Sequence, residues 1–336
     1  MADKAYPCRI YDMPIEDMDK LLNYISSKHI DYPVTDCIGM CDPYDLFNPA
    51  TCVLDGGYVI TGIVFYEYKV SSKAVKYELD KEIRELLKST GKKFVPLAAK
   101  RDMKADIIER LKANSKPQPS VVPVIIGNNR AYVLTNSDKK ANKFSELMTD
   151  GGFTIFPMSP YTYGDSDDGL FDIEEMGSKF LTWLWFTTES NSYKEYGKYS
   201  ITPGEFIRVK GTNGECSVNG DIREARNGVF NGKDVSKFSF SLFSGEAISE
   251  SLPVIIDYMG NINKVQNVIP SGEDGDKYTD LIFLTKLVDT VFDFQKVSFK
   301  EFLSNVDKNG EFDKQLSKEI WNWSRGDVCI RAFEDI

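Results

Sequence analysis

The stretch from Met176 to Thr187 limits what this chain can fold into more than any other part of it. Two tryptophans, two phenylalanines and two leucines fall within residues 180–186, and the apolar positions wrap the whole circumference of a helix. A helix without a polar face has to lie between layers of a core. Crossing a bilayer takes roughly 18–20 consecutive apolar residues, and Thr182, Thr187, Thr188 and Glu189 interrupt or end this run well short of that. Platforms that stack bases space their aromatics among Lys and Arg, whereas only Lys179 is close here. Trp183 and Trp185 are therefore expected in a core.

A core of that kind needs sheets and helices to cover it, and the chain supplies both. Ile15, Met18, Leu21, Leu22 and Ile25 have helical spacing over residues 14–28, and the runs at 51–54 and 58–69 flank Asp55-Gly56-Gly57 as a hairpin. Two amphipathic helices follow. The first carries Val75, Leu79, Ile83, Leu86 and Leu87 on one stripe between a Ser71 or Ser72 cap and Gly91; the second turns Met103, Ile107, Ile108 and Leu111 inward. Then come a hairpin turning at Gly127-Asn128-Asn129, a short helix in "DKKANKFSELMTDGG" and a strand in "FTIFPMSP". The later part reads as a hairpin around Asn213-Gly214, a short helix in "DIREARNGVF", an alternating strand in "KFSFSLFSGEAI" and a long amphipathic helix to about residue 305. Hairpins in place of regular crossovers predict an α+β, multi-lobed fold with antiparallel sheets flanked by helices. The loop "SPYTYGDSDDGLFDIEE" is the expected boundary, giving regions 1–160 and 176–336 joined by a linker at 161–175. The tail beyond Asn305, polar apart from Trp321 and Trp323, has no assignable place.

Most enzymatic chemistry lacks its residues. His29 is the sole histidine, so a Ser/His/Asp or Cys/His system would have to use it, and its position at the end of the first helix favours a structural role. The Cys37/Cys41 pair has no second ligand pair downstream, which favours ordinary thiols over zinc. "DSDDG" at 165–169 reads as a solvated linker, since a two-metal nuclease needs carboxylates at spaced positions on strands. Neither phosphate-cradling glycine motif occurs. No catalytic residue, cofactor or metal is predicted. The first residues, "MADKAYPCRIYDMP", contain no apolar signal core, so a cytoplasmic location is expected.

Charge is strongly segregated. Residues 67–116 hold fourteen Lys and Arg against eight Asp and Glu, a net +6 in a chain of −10, which leaves −16 for the remainder. Such a region attracts phosphates through counterion release, and eleven of its fourteen cations are lysines, which suit phosphate contact better than base reading. Two ordinary solvated helix faces would give the same count. Lys73, Lys76, Lys92, Lys93, Lys100, Arg101, Lys104, Arg110, Lys112 and Lys116 are the candidate DNA-binding residues.

The order of these pieces resembles the recombination-associated protein RdgC family. The resemblance rests on "YEYKVSSKAVKYELDKEIRELLKSTGKKFVPLAAKRDMKADIIERLKANS", the hairpin "VVPVIIGNNRAYVLTNSDKKANKFSELM" and the strand "FTIFPMSP"; "FLTWLWFTTES", "FIRVKG" and "DIREARNGV" look like a divergent branch, so that it spans about residues 50–305. It implies a non-enzymatic homodimer that closes into a ring around double-stranded DNA without sequence preference, limits access of the RecA recombinase and associates with the nucleoid. The aromatic finger that closes the ring in other members is here "KPQPSVVP", and the N-terminal region matches only in outline. The competing reading is an acidic interaction protein that sequesters a basic partner through its −16 remainder and binds no DNA; a metal-dependent nuclease ranks third.

Overall fold

The computed structural model describes residues 5–30, 37–53, 57–68, 70–162, 173–190, 194–212, 214–244, 248–266, 277–307 and 309–325. In chain order its first elements are β1 (Ala5–Asp12), α1 (Met18–Ser27), β2 (Cys37–Cys41), β3 (Thr51–Val53), β4 (Tyr58–Glu67), α2 (Ser72–Thr90), α3 (Leu97–Ala113), β5 (Gln118–Gly127) and β6 (Arg130–Val133). After them come α4 (Asp138–Asp150), β7 (Phe156–Pro157), α5 (Ile173–Ser190), β8 (Glu195–Tyr196), β9 (Tyr199–Gly211), β10 (Gly214–Asn219) and α6 (Arg226–Phe230). The last are β11 (Asp234–Ser244), β12 (Ile248–Asp257), β13 (Ile262–Gln266), α7 (Lys277–Leu303) and α8 (Lys314–Arg325). The fold is α+β with antiparallel pairing, as the alternation of hairpins and helices predicts.

Two compact units make up the chain, and the division does not follow the predicted linker. One unit holds Met1–Ile15, Val53–Tyr58 and Ile125–Ile336; the other holds Glu16–Cys52 and Val59–Val124. Sequence order conceals this split, because the second unit is inserted between β1 and β6, which pair in the first: Ile10 lies opposite Tyr132 and Asp12 opposite Arg130. Most of the expected linker, at 163–172, lies outside the described residues.

In the larger unit seven strands run in the order β10-β9-β11-β12-β13-β1-β6. Phe238, Phe240 and Leu242 of β11 pair with Ile256, Val254 and Leu252 of β12, and all six are buried. α5 and α7 pack on this apolar face. Phe294 of α7 meets Phe240 at 5.3 Å between ring centres, while Phe180 of α5 meets Phe299 and Phe302 at 5.4 and 5.7 Å. Trp183 and Trp185 are 1% and 0% exposed, so the all-round apolar helix lies where its composition requires. Gly177 brings α5 against the turn after β12. A Cβ there would lie 1.7 Å from the Tyr258 carbonyl oxygen, and backbone cannot swing aside as a side-chain end can. Gly177→Ala is expected to cost about 1–3 kcal/mol, the usual penalty for overpacking a filled interior. Urea unfolding measures it; a loss below about 0.5 kcal/mol would mean that the turn yields.

β1, β12 and β13 went unpredicted; in β1 the even alternation that marks a half-buried strand is missing. In β1, Cys8, Arg9, Ile10 and Tyr11 are all buried in succession. The Arg9 guanidinium donates through Nε and Nη2 to the Asp138 carboxylate at 3.2 Å, and through Nη2 to the Asn136 carbonyl at 3.4 Å. The tail that sequence could not place forms α8, whose Trp323 packs edge-on against Trp185 at 4.6 Å.

The smaller unit pairs β2 and β3 with β4, and β4 with β5. α1 begins at Asp17, whose carboxylate accepts the Lys20 N–H, and buries Leu21 and Ile25. His29 lies just past the end of α1, and its Nδ1 donates to the Met40 carbonyl of β2 at 3.0 Å. Cys37 and Cys41 stand at opposite ends of β2. Four steps along a strand cover about 13 Å, so the two thiolates cannot converge on one ion with ~2.3 Å bonds.

Candidate nucleic-acid interface

α2 and α3 form a helical hairpin within the smaller unit. α2 has nineteen residues and ends at Gly91, whose φ of 64° permits the left-handed cap that breaks the helix. Pro96 then opens α3, its fixed φ suiting the entry. The Arg110 guanidinium joins the two helices, donating to Glu82 at 2.7 Å with Glu78 at 3.7 Å. The stripes predicted to face inward do so only in part. Val75 and Ile107 are buried, but Leu79, Ile83, Leu87, Met103, Ile108 and Leu111 are half-buried and Leu86 is exposed. Two helices supply each other with a single wall, which cannot cover a three-residue-wide stripe.

The ten predicted cations fall into two groups on this hairpin. Lys73 and Lys76 begin α2, and Arg110 and Lys112 end α3 with Lys116 just beyond; these mark the base. Lys92 and Lys93 occupy the turn, and Lys100, Arg101 and Lys104 the first two turns of α3; these mark the tip and its approach. Lys76, Lys104 and Lys112 meet on the rim of an open groove of about 530 Å³ floored by Val70, Val75, Leu79 and Ile108. Arg110 is committed to Glu82 and Lys112 to Glu109 at 3.3 Å. The other eight make no ion pair among the described residues, and all but the half-buried Lys100 are exposed.

Local electrostatics sharpen this at the tip. From Leu86 through Arg101 the chain has five cations and no anion. Neither α2 nor α3 has an acidic residue in its first turn. The amide end of a helix carries about half a positive charge, and acids placed there stabilise it by roughly 0.3–1 kcal/mol. This chain sets Lys73 and Lys100 there instead, with Arg101 just beyond, against local stability and in favour of a positive field. A window count over residues 86–101 would have singled out the tip from the sequence.

Sequence reasoning missed a second group. On β9, β11 and β13 the residues facing away from α5 and α7 include Arg208, opposite Lys237, and Lys264, opposite Ile255. Lys237 donates to Asn263 and Arg208 to Ser217, at 2.8 and 2.9 Å. Arg208 and Lys210 alternate with the buried Ile207 and Val209, a period-two signal visible in "FIRVKG". The same unit has an acidic cleft of about 400 Å³ lined by Glu174, Glu175 and Asp234 beside Lys210 and Tyr258. Burial raises the Asp234 carboxyl above its usual range, against the pull of Lys179. "DSDDG" at 165–169 lies outside the described residues. Among those described, no three His, Cys, Asp or Glu side chains are grouped to hold a metal ion, and no helix is long and apolar enough to cross a membrane.

No protein-family model matches the chain, and no curated protein matches it significantly.

Proposed function

We propose that this protein binds double-stranded DNA without regard to sequence, through the α2–α3 hairpin, and performs no chemistry on it. The observation that carries the reading is the set of unpaired cations at the tip, gathered in a stretch from Leu86 through Arg101 that has no anion. Lysine-rich contact of this kind neutralises phosphates and leaves base edges unread. The resemblance to the recombination-associated protein RdgC family extends the reading to a homodimer that encircles the duplex, limits RecA access and lies with the nucleoid. The half-exposed apolar stripes of the hairpin support a further partner surface, and a second copy is the one the resemblance names.

The test is a titration of the whole chain with duplexes of two unrelated sequences at several salt concentrations. Log K is expected to fall linearly with log salt, by about 0.9 for each phosphate neutralised, and equally for both sequences. A flat salt response overturns the reading, as does strand cleavage on adding Mg²⁺ or Mn²⁺. The acidic cleft of Glu174, Glu175 and Asp234 favours one alternative, the capture of a basic protein partner by the larger unit. Binding of a basic protein without binding of DNA would select it.

A further inference from the structure

The hairpin tip presents two large apolar side chains to solvent. Phe94 is 73% and Leu97 67% exposed, whereas Val95 between them is 7% exposed and anchors the turn. Full exposure of a phenylalanine and a leucine forgoes roughly 1.5–3 kcal/mol each relative to burial. Their setting restricts what can cover them: Lys92 and Lys93 precede Phe94, and Lys100 and Arg101 follow Leu97 within about one helical turn, with no anion in between. Pro96 and the Gly91 cap hold the turn in a defined backbone, with Gly91 at φ 64°. A rigid apolar point ringed by cations is complementary to a ligand with an anionic rim and an apolar interior. Duplex DNA has both, phosphates outside and stacked bases within.

We infer that Phe94 and Leu97 form a wedge that enters a base step and kinks the duplex while Lys92, Lys93, Lys100 and Arg101 grip the flanking phosphates. This rests on the DNA-binding reading and adds deformation to it. Proteins that insert Phe or Leu between base steps unstack them and bend the duplex by about 20–90°. Unstacking is easiest at flexible pyrimidine–purine steps, which nearly every duplex contains, so the wedge needs no hydrogen bond to a base and no defined site. The two side chains amount to a point; an amphipathic segment on a membrane instead lays down a whole apolar face.

The experiment uses the whole chain with a duplex that carries 2-aminopurine at a central TA step and a donor–acceptor dye pair at its ends. The wild type is expected to raise 2-aminopurine emission and to shorten the end-to-end distance by an amount matching a 20–90° bend. Phe94→Ala/Leu97→Ala is expected to abolish both signals yet keep the salt slope, since every cation remains; Phe94→Leu retains them in part. Both substituted side chains are exposed, so folding is preserved, and an unchanged melting curve verifies it. Binding by the wild type without unstacking or bending overturns the wedge alone. Failure of the wild type to bind any duplex overturns the wedge and the DNA reading together. A bend that survives the double alanine change, accompanied by loss of self-association in sedimentation or of binding to vesicles of anionic phospholipid, assigns the tip to a second copy or a membrane and overturns the wedge.

Discussion

Replacing Lys92, Lys93, Lys100 and Arg101 together with glutamate is expected to flatten the dependence of log K on log salt for duplex DNA by roughly three to four units. The size follows from counterion release, in which each lost phosphate contact removes about 0.9 from the slope. These four belong to the stretch from Leu86 through Arg101 that has no anion, and none has an ion-pair partner among the described residues. Their removal leaves no partner stranded. The fold should tolerate it, since solvated surface charges usually change stability by less than about 0.5 kcal/mol, and acids near the first turn of α3 would favour its dipole. The same change at the base, Lys73→Glu/Lys76→Glu, is expected to alter the slope by no more than about two units. An unaltered slope in the tip variant with an unchanged melt would move the DNA surface elsewhere, with Arg208, Lys237 and Lys264 on the open sheet face next to be tried. A loss confined to one sequence would mean that bases are read.

The second large effect concerns the far end of the chain. Glu189, near the end of α5, accepts the Trp185 indole N–H at 2.8 Å, the Trp323 indole N–H at 2.9 Å and the Arg226 Nε at 2.9 Å, with Arg226 Nη2 against the same oxygen. One carboxylate thus joins α5, α6 and α8. The Glu189 and Arg226 side chains are 11% and 19% exposed, so water reaches them poorly. Glu189→Ala would strand a buried guanidinium and two indole N–H groups together. Removing one partner of such a pair typically costs about 3–5 kcal/mol when burial is complete; with Arg226 still touching solvent, about 2–4 kcal/mol is expected. Urea unfolding gives the value, and red-shifted tryptophan emission would report that Trp323 has been released. Because the penalty comes from the abandoned cation, Glu189→Leu/Arg226→Met should recover a good part of it. A Glu189→Ala variant within about 0.5 kcal/mol of wild type would show α8 to be held by ring packing alone.

α8 also shows where sequence reading stopped. Its hydrophobic residues look isolated in a polar tail, because the surface that completes them, Trp185 and Phe186, lies more than 130 positions earlier. The α2–α3 hairpin lies at the opposite extreme. Its helices, its Gly91 break and its excess of positive charge are local properties, set by spacing and composition within about fifty residues, and they were read directly. What remained hidden was how little of the apolar stripe would be covered, and that Arg110 would be drawn away to Glu82.

Local chemistry by itself determined that residues 176–187 would be a core helix, that hairpins would pair antiparallel strands and that positive charge would gather between residues 67 and 116. Each of these depends on neighbours within a few turns or one hairpin, where side-chain period and backbone preference decide the outcome. Only the tertiary structure decided that residues 16–52 and 59–124 form a unit of their own between strands β1 and β6, which pair in the other, that α8 seals α5 through Glu189, and that the opposite face of the sheet carries Arg208, Lys237 and Lys264. Those arrangements join residues tens to more than a hundred positions apart, or expose one face of a strand by leaving it uncovered. A strand in the middle of a sheet, buried on both faces like β1, loses the alternation that would have announced it.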